Sequence, residues 1–314
     1  MPILKPTLDN IKKAAELLRA GDLVVFPTET VYGLGANVFD ERAVTKIFEL
    51  KRRPYFDPLI VHVADIAMAE VAVFDERARA LAKRFWPGPL TLILPKKPKV
   101  PDIVTSGLSS VAIRMPAHEV ALALIKECGF PLAAPSANPF GQLSPTRAEH
   151  VLSYFGEKLF ILEGGECQVG LESTILDLTE KEPVLLRPGG VPMEALKEVL
   201  GEIKIKRKPE KPKAPGQLKS HYAPRTPLKI WQKNLEIKGK KIGFLAFSKA
   251  PEGKYEAVRI LTPSGDLREA AANLFKYLHE LDQMGLDLIL VEPVPEEGLG
   301  LAIMDRLRKA EAAF

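Results

Sequence analysis

The chain has 314 residues, 46% hydrophobic and 27% charged, the texture of a soluble globular chain of about two domains. That composition excludes a disordered chain and supplies a large core. Lys and Arg outnumber Asp and Glu by 44 to 40; the net charge of +4 suits anionic small molecules or transient RNA contact but is too small to argue for nucleic acid alone.

The two cysteines, Cys128 and Cys167, form no CxxC and have no companion histidine pair, which argues against a disulfide scaffold and against a zinc site. Lys5, Asp9, Lys12, Lys13, Glu16 and Arg19 interrupt any apolar signal region near the N-terminus. No run of about 18 uncharged apolar residues occurs. These features predict a cytoplasmic protein without a membrane segment.

Leu8, Ile11, Ala15 and Leu18 recur at helical spacing and Gly21 supplies a stop, so a helix comes first. Residues 23–26 follow as a short buried strand. At its C-terminal edge, where α/β proteins place their sites, stands Pro27-Thr28-Glu29-Thr30-Val31-Tyr32-Gly33-Leu34-Gly35. Its hydroxyls, carboxylate and glycines would let a small polar ligand come close; a tight turn with a Thr N-cap explains them equally well. Residues 41–50 are helical and lead into Lys51-Arg52-Arg53-Pro54. In an extended segment Lys51 and Arg53 converge on one side, as a polyphosphate requires, while Arg52 faces elsewhere. Cations that merely favour the helix dipole are the plainer reading.

Strands are predicted at 58–63, 90–94, 111–115 and 131–134, with helices near 68–84 and 118–127. His62 lies in the first of these strands, where a core histidine is the ordinary case, and Arg114 near the end of the third, where a solvated edge cation is. Ser136 and Asn138 form a second i, i+2 polar pair, continued by Gly141, Ser144, Pro145 and Thr146; turn chemistry accounts for them almost as well. Thr146 is placed to N-cap the next helix. Further strands are predicted at 159–162, 173–178 and 184–186, with Arg187 before Pro188-Gly189-Gly190. The pattern is an α/β unit with a mixed sheet.

From Lys204 to Pro215 six basic residues and three prolines face the single acid Glu210, which predicts an extended, solvated linker over 204–227. Beyond it, apolar runs at 241–247 and 286–292 flank a helix carrying Leu267, Ala271, Leu274, Leu278 and Leu281. A crossover of that length points to a small parallel sheet. No P-loop, dinucleotide fingerprint, G-x-S-x-G elbow or H-E-x-x-H occurs.

Thr28-Glu29-Thr30-Val31-Tyr32-Gly33-Leu34, Lys51-Arg52-Arg53-Pro54, Pro58-Leu59-Ile60-Val61-His62, Trp86-Pro87-Gly88-Pro89-Leu90-Thr91, Arg114-Met115-Pro116 and Pro135-Ser136-Ala137-Asn138 stand in the order of the YrdC family, which the first 200 or so residues resemble. Pro215-Gly216, four residues and His221-Tyr222 resemble the linker of its long, two-domain form. Gln217, where that family often has Met, and Asp305, where it has Asn before Arg306, depart from the pattern.

The resemblance implies a YrdC-like twisted mixed sheet over 1–203, a linker that acts as an active-site lid over 204–227, and a Rossmann-like α/β domain over 228–314. It implies synthesis of threonylcarbamoyl-AMP from L-threonine, bicarbonate or CO2 and ATP, with release of pyrophosphate. Lys51 and Arg53 would bind the phosphates and carry catalysis, with Asp57, Ser110, Ser136, Asn138, Ser144, Arg187 and Tyr222 holding ATP. Thr30, His62, Arg114, Ala134 and Ser173 would bind threonine. Mg2+ would come with ATP, without a dedicated carboxylate cage. The implied partners are a downstream tRNA threonylcarbamoyl-transferase and a weak tRNA contact. The alternative reading is a double-stranded RNA or tRNA-binding protein without this catalysis, against which stands the lack of an interleaved aromatic and basic platform. A third is an accessory domain of carbamoyl transfer.

Overall fold

The computed structural model describes residues 3–205, 212–232, 240–249 and 251–314. Helix α1 (Leu8–Arg19) turns Ile11, Ala14, Ala15 and Leu18 inward; Thr7 Oγ1 accepts from the Asn10 N–H at its start, and Gly21, at φ 82°, follows its end. Strand β1 (Val24–Phe26) sends Val25 to one face of a sheet and Val24 and Phe26 to the other, so its unbroken apolar run reflects burial on both sides.

Gly33–Asn37, read from the sequence as part of a loop, is strand β2, antiparallel to β1. The Phe26 ring lies across it: a Cβ on Gly35 would stand 2.9 Å from that ring. The two glycines therefore mark close packing on a strand rather than a turn.

Helix α2 (Glu41–Lys51) and β3 (Ile60–His62) follow. The helix expected near 68–84 divides into a 3-10 turn, Met68–Val71, and α3 (Glu76–Phe85), whose first turn is capped by Asp75. Then come β4 (Leu90–Pro95), α4 (Asp102–Thr105), β5 (Ser110–Arg114), α5 (Glu119–Cys128), β6 (Leu132–Ala133) and α6 (Ala148–Phe155). Arg147, not Thr146, holds the N-cap position of α6, without a side-chain cap; the Thr146 N–H donates instead to His150 Nδ1 at 3.2 Å. β7 (Phe160–Ile161), β8 (Thr174–Asp177), β9 (Val184–Arg187), α7 (Met193–Leu200) and β10 (Lys204–Ile205) close the first unit. Its ten strands run β10-β9-β8-β4-β5-β3-β6-β2-β1-β7 in one mixed sheet, the expected class.

Lys204 and Ile205, expected to open the linker, pair in parallel with β9. Both side chains are exposed, so no buried apolar residue signals the pairing. The basic run Lys206, Arg207, Lys208 and Lys211 lies outside the described residues.

The second unit holds β11 (Leu228–Ile230), β12 (Ile242–Ala246), β13 (Ala257–Ile260), α8 (Leu267–Asp282), β14 (Leu288–Val291) and α9 (Gly300–Glu311). Its sheet, β11-β14-β12-β13, is wholly parallel, as the crossover predicted. Among the described residues no helix is long and apolar enough to cross a membrane.

The two units meet along α8. Gly170, at φ 69°, abuts its backbone: a Cβ there would come within 2.5 Å of Ala272 Cα. Val31, Leu143 and Leu171 join the same apolar cluster as Leu274 and Ile303. His150 stacks on His279 at 3.8 Å, and His279 Nε2 donates to the Ser144 carbonyl at 3.1 Å. Gly170→Ala should therefore lower stability by roughly 1–3 kcal/mol, visible as a drop in Tm, because backbone cannot give way as a side chain can.

Burial pushes the pKa of His150 down to about 3 and that of His279 to about 4. Unfolded imidazoles titrate near 6.5, so between these values the unfolded chain binds more protons. The neutral pair is fully compatible with folding above about pH 6.5, and stability falls as pH drops towards 4, by up to about 1.4 kcal/mol per pH unit for each imidazole. Urea unfolding from pH 7 to 4 should show that slope, and His279→Gln should flatten it.

Candidate active site

A cleft opens where β1, β3, β5 and β6 end. In-register pairing of parallel β3 and β5 sets His62 beside Arg114, and both line this cleft. Arg114 is fixed on three sides. Its Nη1 donates to Thr30 Oγ1 at 2.9 Å, its Nε to the Gly88 carbonyl at 3.2 Å, and its Nη2 stands 2.6 Å from Glu29 Oε1. Thr30 shares a 2.8 Å hydrogen bond with Thr28. Burial, with the Arg114 charge beside it, pushes the His62 pKa down to about 3. His62 Nδ1 lies 3.2 Å from the Ile60 carbonyl; since a carbonyl only accepts, Nδ1 carries the proton and Nε2 is left as an acceptor.

Opposite, Ser173 Oγ lies 2.7 Å from Thr91 Oγ1. Arg187 donates to the Ser173 carbonyl at 2.9 and 3.1 Å, to Ser173 Oγ at 3.1 Å and to the Pro215 carbonyl at 3.2 Å. The linker crosses here. Tyr222 is buried at φ 64°, and Gly216, at φ 78°, lies so close that a Cβ would come within 2.3 Å of the Tyr222 hydroxyl oxygen.

Lys51 and Arg53 converge by a different route from the extended segment expected. Lys51 ends α2, and Arg52, at φ 53°, turns the chain through the left-handed region. Arg52 is exposed while its neighbours are buried. Lys51 Nζ donates to the Ser136 carbonyl at 2.6 Å and to the Asn138 carbonyl. Burial first, and Arg53 second, holds its pKa well below the usual lysine range, opposed by Asp57. Arg53 pairs with Asp57 at 2.8 Å and donates to the Asp57 and Pro58 carbonyls, each at 2.9 Å.

Of the residues picked from the sequence, Thr30, Arg53, His62, Arg114, Ala134, Ser136, Ser173, Arg187 and Tyr222 line the cleft. Lys51 reaches it from behind Ser136, and Asp57 stands behind Arg53. Asn138 braces its own loop, donating to the Pro139 and Gln142 carbonyls at 2.9 and 3.0 Å. Ser144 is bonded to Glu172. Ser110 does not join them: it begins β5 and Arg114 ends it, four residues and roughly 13 Å away along an extended strand.

Glu29 and His221 lie within the motifs quoted above, and Glu172 directly before Ser173, but none of the three carries a role that the sequence alone indicates. Glu172 lines the cleft, and Arg306 Nε donates to its Oε2 at 2.7 Å. Burial alone would raise its pKa, but Arg306 and Arg187, with bonds from Ser144 and Arg306, hold it at about 2.

Residues 16–189 match the family model of the Sua5, YciO and YrdC proteins, described as telomere recombination, and residues 191–312 match that of the threonylcarbamoyl-AMP synthase C-terminal domain. The chain belongs to the threonylcarbamoyl-AMP synthase family. It is 48% identical to threonylcarbamoyl-AMP synthase of Pyrococcus abyssi over 96% of this chain and 94% of that one. Identity to the Bacillus subtilis synthase is 45%, over 96% and 92%. The crystal structure of P. abyssi Sua5 complexed with L-threonine matches with a TM-score of 0.91 at 46% identity, covering 99% of this chain and 97% of that one. The motif order thus led to the right family, fold and reaction: synthesis of threonylcarbamoyl-AMP, a nucleotidyl transfer.

The Arg53–Asp57 pair carries a further expectation. Arg53→Ala leaves a buried carboxylate without its cation and should cost about 3–5 kcal/mol, whereas Arg53→Met combined with Asp57→Asn should recover most of that loss in chemical denaturation.

Proposed function

We propose that this cleft holds the triphosphate of ATP and L-threonine side by side. The observation that carries the proposal is the meeting, in one cleft, of Arg53, Arg187 and the adjacent Lys51 with a small polar pocket made by Thr30, His62 and Arg114. The threonine amine takes up bicarbonate or CO2 as a carbamate, and a carbamate oxygen attacks the α-phosphate in line, releasing pyrophosphate. Positioning and charge stabilisation suffice for such a transfer. Arg114 binds the threonine carboxylate with the N–H groups left over from Thr30 and Glu29. His62, neutral, offers Nε2 as an acceptor to the amino acid. Ser173 and Ala134 shape that end of the pocket, and Ser136, Asn138 and Ser144 hold the nucleotide end.

Residues 1–203 form the catalytic domain on this reading, 204–227 a lid, and 228–314 the anchor of that lid. Tyr222 closes over the site and excludes water from the labile carbamate and mixed anhydride. Mg2+ travels with the nucleotide. Among the described residues no group of three or more His, Cys, Asp or Glu could hold a metal, and Asp57 and Glu172 are each engaged by an arginine. The product passes to a tRNA threonylcarbamoyl-transferase in the cytoplasm, with weak tRNA contact.

Lys51→Ala tests the phosphate assignment, because the Lys51 partners are carbonyls that keep no stranded charge. Pyrophosphate release should fall about 100-fold or more. Near-normal turnover would refute the assignment.

A further inference from the structure

We propose that Arg306, supplied by the C-terminal unit, is a positioning residue of the nucleotide end of the cleft, acting through Glu172 to keep Arg187 available for phosphate. The inference rests on the reading above and adds a task for the second unit beyond anchoring the lid.

Arg306 lies on α9 and is 1% exposed. Its Nε holds Glu172 Oε2 at 2.7 Å, while the other Glu172 oxygen accepts from Ser144. Its Nη1 donates to the Pro188 carbonyl at 2.9 Å, on the residue after Arg187, and to Asp305 at 2.7 Å. Its guanidinium stands 4.9 Å from the centre of the Tyr222 ring. One side chain thus touches the carboxylate wall of the cleft, the segment carrying Arg187 and the linker that crosses the opening.

Docking of the two units does not depend on it, since α8 already packs against Gly170, Val31 and Leu171. A buried ion pair is an expensive way to hold surfaces together. Its use here is electrostatic. Glu172 and Arg187 line the same cleft, and each charge is felt by the other. With Arg306 in place the Glu172 carboxylate is turned to α9 and Ser144. Without it, the other cation that acts on Glu172 is Arg187, and a carboxylate neutralising Arg187 repels a triphosphate. Asp305 belongs to the same device: it accepts from Arg306 and from Lys309 Nζ at 2.8 Å, and Lys309 donates to the Gly216 carbonyl at 2.7 Å.

The experiment uses the full chain and measures pyrophosphate release with ATP and threonine varied in turn, with Tm recorded for every variant. Arg306→Met should raise the KM for ATP about 10–100-fold and change the KM for threonine less than 3-fold. Adding Glu172→Gln, which removes the stranded charge but still accepts from Ser144, should bring the KM for ATP back to within about 3-fold of the unsubstituted chain. Arg308→Gln, on the same helix as Arg306, breaks an exposed pair with Glu296, serves as the control and should change neither constant. Arg306→Lys should show a smaller rise confined to ATP, and it decides the matter if Arg306→Met does not fold. An unchanged KM for ATP in both Arg306 variants overturns the proposal. So does a parallel rise in both constants that tracks Tm and is not rescued by Glu172→Gln. Lys51→Ala, run alongside, separates the two failures: if it too leaves catalysis intact, the phosphate reading itself is wrong.

Discussion

Charge taken out of water is the constraint on which the cleft depends. Arg53, Arg114 and Arg306 are buried, and each lies against a carboxylate, Asp57, Glu29 and Glu172. Stripping water from such groups costs several kcal/mol per ion before any pairing is counted. The cost is offset in part because each guanidinium also donates to a carbonyl at a fixed position: Pro58 for Arg53, Gly88 for Arg114, Pro188 for Arg306. Pairing leaves the cleft walls rigid, while Lys51 and Arg187 are held by carbonyls and a hydroxyl instead of a carboxylate. A preorganised field of this kind stabilises charge that develops during phosphoryl transfer without reorganising solvent.

The scaffold explains why these groups can be so deeply placed. The first sheet is covered on both faces, and its strand ends deliver His62, Arg114 and Arg187 from positions far apart in sequence. The second unit closes the remaining side with α8 and α9, so the linker segment 212–227 runs between packed surfaces. The linker is held to the C-terminal helix at Gly216 by Lys309 and at Tyr222 by Arg306.

Much of this was legible in the chain. Helices α1 and α8 carry strong apolar periodicity with local stops, and the buried strands of the first sheet carry apolar runs. Local pattern fails where tertiary contact decides the outcome. β2 is rich in glycine because Phe26 lies on it, and β11 and β13 are short and carry Lys229 and Arg259. In the site, Lys51 and Arg53 announced themselves as a paired motif, yet the left-handed turn at Arg52 that orients them left no mark on the sequence. Glu172 could be quoted as part of a motif but not given a role, since its partner Arg306 lies 134 residues away. Ser110, named by the resemblance, begins β5, at the end away from Arg114.

The central claim is that one cleft joins an amino acid to a nucleotide, and pyrophosphate release at saturating ATP and bicarbonate tests it most directly. Measured with threonine, with serine and with no amino acid, release should depend on threonine and be accompanied by an AMP-linked product. Release that ignores the amino acid, or no release together with salt-sensitive tRNA binding, would contradict the account.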